Sequence, residues 1–291
     1  MKLSFLKSYP ILAIILFSCA SGGTGDSTAF YGNAESNHIT VSTTADNWME
    51  PEGMTLAWSD EFNGSAIDTS VWKYETESTG WSKSWNNELQ DYIDDGSGGE
   101  NARIENGNLV IRATNPSPGV YKSIRMVTKG NRSWKHGRIV AKMKLPYGQG
   151  IWPAFWLLPE SGNWPDAGEI DVMELIGGGD GRDNRAYGTL HGPGYSGGNG
   201  IQGSARLASG NFRDAYHVFE IRWDEGVIEW FIDGVFFQRV TRKSVPGAWV
   251  FDDHKFYILL NLAVGGGWPG NPDTSTVFPQ TMAIDWVRVY Y

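Results

Sequence analysis

A chain of 291 residues is long enough to bury one sizeable core. Its formal charge of 24 − 33 = −9 argues against nucleic acid, whose phosphates select for Lys and Arg. A single cysteine excludes an internal disulfide. The 14 Trp, 12 Tyr and 13 Phe, beside 37 Gly, point to carbohydrate for about half of the aromatic set, because aromatic faces stack on the apolar faces of sugar rings. The other half suits a β core.

In chain order, Lys2 and Lys7 make a basic start and residues 11–17 a short apolar run, too short to span a bilayer and suited to a signal-peptide core. The run ends in Leu16-Phe17-Ser18-Cys19, which resembles a bacterial lipobox, with Phe17 as its departure. Residues 1–18 are therefore expected to be a lipoprotein signal and Cys19 the lipidated residue. No other run of 18 or more apolar residues exists, so the expected membrane contact is a lipid anchor only, at the bacterial cell envelope, on the outer membrane or the cell surface. Residues 19–53, rich in Gly, Ser, Thr, Asn and Asp without apolar periodicity, are expected to be a flexible tether.

From Met54 the texture changes to short alternating runs separated by Gly, Asn, Asp and Pro. Strands are expected over 108–113, 137–144, 216–223 and 282–290, and Asp233-Gly234 reads as a tight hairpin turn between 227–231 and 235–240. No stretch of 15 residues has helical periodicity. The expected fold is all-β, an antiparallel sandwich spanning 54–291 as one domain and a monomer.

The run Glu169-Ile-Asp-Val-Met-Glu174 carries the chemistry. In a strand, Glu169 and Asp171 share one face while Ile170 and Val172 take the other. Glu174 falls on the wrong face unless a β-bulge, expected at Met173, adds one residue. Three acids on one face repel, which is poor for stability and calls for a function. Glu169 and Glu174 would then be roughly 13 Å apart at Cα, at about 3.3 Å per residue. Their carboxyl groups, leaning together, would approach to about 5–6 Å, the separation of a retaining glycosidase rather than an inverting one.

These residues resemble glycoside hydrolase family 16 in its bulged, laminarinase-like form. The resemblance also rests on Trp58-Ser-Asp-Glu-Phe62, Trp85-Asn-Asn-Glu-Leu-Gln90, Gly148-Gln-Gly-Ile-Trp-Pro-Ala-Phe-Trp-Leu-Leu-Pro159, the segment 256–270 and Ile284-Asp-Trp-Val-Arg-Val-Tyr290. It implies a β-jelly-roll sandwich of two antiparallel sheets, concanavalin A-like, with a cleft on the concave face. It implies Glu169 as nucleophile, Glu174 as acid/base and Asp171 as their assistant. It further implies Asn86, Arg125, Trp152, Trp156, Trp164, His191 and Trp268 as substrate-binding residues. No cofactor is implied for catalysis. A structural Ca²⁺ is implied through the carbonyls of Glu61 and Gly107 and the carboxylate of Asp285. The segment 77–85 is longer and more Ser-rich than the pattern, and Asp91-Tyr92 replaces its aromatic pair.

The implied reaction is retaining endo-hydrolysis of β-1,3-glucan, with mixed β-1,3/1,4-glucan as a further substrate. A galactan hydrolase of the agarase or carrageenase type and a transglycosylase remain open on the same residues. A glucan-binding lectin would not need the three carboxylates.

Overall fold

The computed structural model describes residues 39–41, 48–76, 81–96, 98–179 and 181–291. The expected signal 1–18 and Cys19 lie outside them. In chain order the first strands are β1 (Ile39–Val41), β2 (Leu56–Asp60), β3 (Lys73–Tyr74), β4 (Gln90–Tyr92), β5 (Ala102–Glu105) and β6 (Asn108–Ser117). Next come β7 (Val120–Ser123), β8 (Arg125–Val127), β9 (Gly137–Lys144), β10 (Ile151–Pro159), β11 (Glu169–Glu174) and β12 (Arg185–His191). The last are β13 (Ile201–Leu207), β14 (His217–Asp224), β15 (Val227–Ile232), β16 (Val235–Thr241), β17 (Phe256–Val264) and β18 (Gln280–Tyr290).

Two sheets form, as expected. One runs β1-β13-β12-β11-β10-β17-β8-β3, the other β16-β15-β14-β9-β18-β6-β7-β4, with β2 on β18 and β5 on β6. Neighbours are antiparallel except β1 on β13 and β4 on β7. Alternation decides which residues lie between the sheets. Along β10, Ile151, Phe155 and Leu157 join the main core, while Ala154 and Trp156 form a small apolar cluster on the opposite face with Val127, Tyr257 and Leu259. The Asp233-Gly234 turn has φ of 51° and 78°, which closes the β15–β16 hairpin as expected.

Two pieces of the expected tether belong to the sandwich instead. Strand β1 pairs in register with β13, Val41 opposite Leu207, and Val41 is fully buried. Trp48 packs on Trp286 at 5.1 Å between ring centres and donates its indole N–H to Glu220 at 2.8 Å. Ile39 and Val41 flank Thr40, an alternation short enough to vanish among polar residues in sequence, yet sufficient to cover the β13 edge. Within the segment that departed from the family pattern lies a six-residue helix, α1 (Trp81–Asn86), too short to show periodicity.

Candidate active site

The strand register assembles the site row by row. Arg125 on β8 pairs with Asn261 on β17, Asn261 with Ala154 on β10, and Ala154 with Glu174 on β11. In the adjoining row Trp156 pairs with Asp171 and Asp171 with Thr189. Glu169 lies opposite His191 on β12. Trp152 and Trp156, four apart on β10, therefore share the cleft face and flank the acids.

The expected bulge is present. Against β12, Asp171 pairs with Thr189 and Glu174 with Tyr187, so Val172 and Met173 together oppose Gly188. Against β10, Met173 pairs with Phe155 and Val172 is the residue passed over. The extra residue was expected at Met173; the bulge is shared by both, and both side chains enter the core. Either assignment keeps Glu174 on the cleft face with Glu169 and Asp171, where all three line one compartment.

Few solvent-exposed atoms remain on the trio, and burial raises each carboxyl. Glu169 is held well above the ordinary range, first by burial and then by the like charges of Asp171 and Glu174, against the pull of His191 and a hydrogen bond from Trp164. Burial pushes Asp171 up to about 7, with a hydrogen bond to Glu169 opposing. Glu174 is pushed up to about 8 by burial and Asp171, with the indole N–H of Trp152 opposing at 2.9 Å. His191 Nε2 stands 3.1 Å from Asp171 and 3.8 Å from Glu169. The cluster thus holds protons at neutral pH where free carboxylates would not, which is what general acid catalysis requires.

Two compartments flank the trio. The first, of about 380 Å³, is lined by Asn86, Glu88, Tyr92, Arg125, Trp156 and Asn261 among others. Its walls are tied together: Trp156 donates to Asn261 at 2.6 Å, Asn261 to Tyr92 at 3.1 Å, and Tyr92 to Glu88 at 3.2 Å. Asn86 also donates to Glu88, at 2.9 Å. The second compartment, of about 1000 Å³, is lined by Trp164, Thr189, His191, Gln202 and Trp268 as well as Glu169 and Glu174. Trp268 stands edge-on to Trp152 at 5.6 Å and to Tyr187 at 5.1 Å.

All seven expected substrate residues line this cleft. Arg125 is nearly inaccessible, paired with Glu75 at 2.7 Å and stacked over Tyr92 at 4.5 Å, so it braces the wall. Sequence reasoning marked Tyr92 only as a departure from the family pattern, missed Glu88 and Asn261, and did not single out Trp85, which is 65% exposed and packs on Trp164 at 5.7 Å. A signal existed: Asn86, Glu88, Gln90 and Tyr92 alternate at strand period.

One of the expected calcium ligands is paired with a cation. The Asp285 carboxylate is 2.7 Å from Lys142 Nζ. Among the described residues, the cluster that could hold a metal is Glu169, Asp171 and His191, whose ligand atoms lie within 4.8 Å of one another.

Comparison with known proteins follows the same geometry. The family model for glycosyl hydrolases family 16 matches residues 89–288. A glucan endo-1,3-beta-glucosidase A1 of Niallia circulans is 38% identical over 277 residues, covering 82% of this chain. The matched region spans only 38% of that longer protein. A beta-glucanase of Rhodothermus marinus is 38% identical, covering 81% of this chain and 84% of its own. The laminarinase catalytic domain of Thermotoga maritima superposes with a TM-score of 0.75 at 42% identity, covering 81% of this chain and 98% of that one.

Proposed function

The chain belongs to glycosyl hydrolases family 16, and from that premise we propose that it is a retaining endo-glycosidase cutting β-1,3-glucan of the laminarin type, with mixed β-1,3/1,4-glucan as a further substrate. The observation that carries this reading is the bulge in β11, which gathers Glu169, Asp171 and Glu174 on one wall between two sugar-sized compartments.

In the first step the Glu169 carboxylate attacks the anomeric carbon. The bond from that carbon to the leaving oxygen breaks, and Glu174 gives its proton to that oxygen. Glu174 suits the acid because it stays protonated up to about pH 8. Glu169 reacts as the nucleophile in its ionised form, which the Trp164 indole donor and His191 favour against the burial that raises it. In the second step Glu174, now a carboxylate, takes a proton from water. The water oxygen attacks the same carbon from the opposite face, and Glu169 departs ionised. Asp171, between the two and against His191, shares a hydrogen bond with Glu169 and tunes its charge. Two inversions leave the β configuration.

No cofactor enters this chemistry. A structural Ca²⁺ needs hard oxygen ligands, and here the one carboxylate of the expected set, Asp285, faces the Lys142 ammonium. Any such ion would be structural, and no step depends on it.

The N-terminal pattern supports an exported enzyme held to the envelope through Cys19, acting as a monomer on polysaccharide outside. Palmitate labelling of the expressed protein, lost in Cys19→Ser, is the expected result; equal labelling of both sinks the anchor.

The reaction itself is tested with laminarin. Glu169→Gln is expected to lose reducing-sugar release by about 10³-fold or more, a scale set by removal of a reacting group, while still binding glucan. NMR of the first product should show the β-anomer; an α-anomer excludes the double displacement.

A further inference from the structure

Beneath the cleft, a tryptophan from the other sheet reaches the strand that carries the acids. Trp230 on β15 is fully buried, and its Nε1 donates to the carbonyl oxygen of Asp171 at 2.7 Å. That carbonyl belongs to the peptide joining Asp171 to Val172, the first of the bulge. Across from it, Gly188 leaves the space the indole uses. A Cβ on Gly188 would lie 2.4 Å from Cδ1 and 2.7 Å from Nε1 of Trp230, closer than carbon atoms can pack. Hydrogen bond and missing side chain converge on the one place where two residues of β11 face a single residue of β12.

A tryptophan needed only for volume does not require its N–H to find this particular oxygen. The other fully buried core indoles do not reach the catalytic strand: Trp72 donates its N–H to Asp60 at 2.9 Å, and Trp223 carries no comparable bond. A bulge is the softest part of a ladder, because its residues share one partner. The orientation of its first peptide fixes how far along the cleft Glu174 stands from Glu169. Catalytic groups must be held to within about 0.5 Å of their productive geometry, and a displacement near 1 Å costs on the order of 10²-fold in rate.

We infer that Trp230 is a positioning residue for the hydrolysis: its indole N–H pins the β11 bulge from the core side and so fixes the separation of Glu169 and Glu174 without touching substrate. This rests on the reading of those two acids as the reacting pair.

The test compares Trp230→Phe, which removes the donor and keeps an aromatic ring, with Ile228→Ala, a buried residue on the same strand that pairs with Trp223 of β14 and has no N–H to donate to the bulge. Trp230→Phe is expected to lower kcat on laminarin about 10- to 100-fold with KM within about twofold. It should also displace the limbs of the pH–rate profile, because the coupling of two carboxyls depends on their separation. Ile228→Ala should lower Tm by a comparable amount while leaving kcat within about threefold and the pH limbs in place. Equal kcat losses in the two variants, or an unchanged kcat and pH profile in Trp230→Phe, overturn the inference.

Should Trp230→Phe not accumulate folded, the wild-type indole N–H is followed by ¹⁵N NMR, identified by its contacts to Gly188. It is expected to exchange slowly and to shift when a 2-fluoro sugar occupies Glu169; a resonance that does neither overturns the role. Failure of the glucanase reading looks different, since the wild type itself would then leave laminarin uncut.

Discussion

A donor held against a buried carboxyl favours its ionised form, and Trp152 does this to Glu174. Burial and Asp171 have already pushed that group up to about 8, so the alkaline limb of the rate profile belongs to it: above its pKa the acid has no proton to give. Trp152→Phe removes the opposing N–H, so the pKa should rise further and activity should persist to higher pH. The limb is expected to move up by roughly 0.5–1 unit, the worth of one hydrogen bond at about 1.36 kcal/mol per unit, alongside a raised KM from the altered sugar platform. A limb that stays or falls in kcat/KM against pH sinks the assignment. The same raised carboxyls make stability depend on pH. From about 4.5 to about 8 the folded form holds protons that the unfolded chain has lost, so stability falls as pH rises through that window. At this scale much was legible: alternation alone put Glu169 and Asp171 together. What the sequence hid was which apolar residue the bulge would pass over, because Val172 and Met173 both fit the core.

Strand β1 shows an element too short to read. Three residues cover the free edge of β13, and one of them, Val41, is buried completely. Val41→Ala should therefore cost about 1–2 kcal/mol and lower Tm by roughly 2–4 °C per kcal/mol, measured by thermal unfolding. An unchanged Tm would return these residues to the tether. Longer strands were legible because their alternation repeats: 137–144 matches β9, and β14, β6 and β18 extend or trim the expected limits by a few residues. Helix α1 was not, since six residues give less than two turns of pattern. Its placement decides where Trp85 meets Trp164, a contact between segments far apart in sequence that no local rule predicts.

Over the whole molecule, a net charge of −9 and a cleft wall with three carboxylates set which polymers can approach. Neutral β-glucans meet no repulsion. Sulfated galactans do, and more strongly at low salt, where screening reaches about 30 Å rather than 8 Å. Side-by-side digestion should rank laminarin first, then a mixed-linkage glucan, with carrageenan far slower. Preference for carrageenan at low salt would overturn the ranking. The cleft was legible as a set of motifs in chain order. Its division into two compartments was not, because partners such as Asn261 and Glu88 meet only when β17 and the segment before β4 come together.

The bulge on β11 also says how this strand could change length. Losing Val172 would leave Glu169, Asp171 and the last glutamate at regular alternate positions, so the cleft would keep all its acids. Gly188 would then face one residue instead of two, and the indole of Trp230 would no longer find its carbonyl at the same place. A single-codon deletion thus separates two properties that usually fail together, the presence of the acids and their spacing.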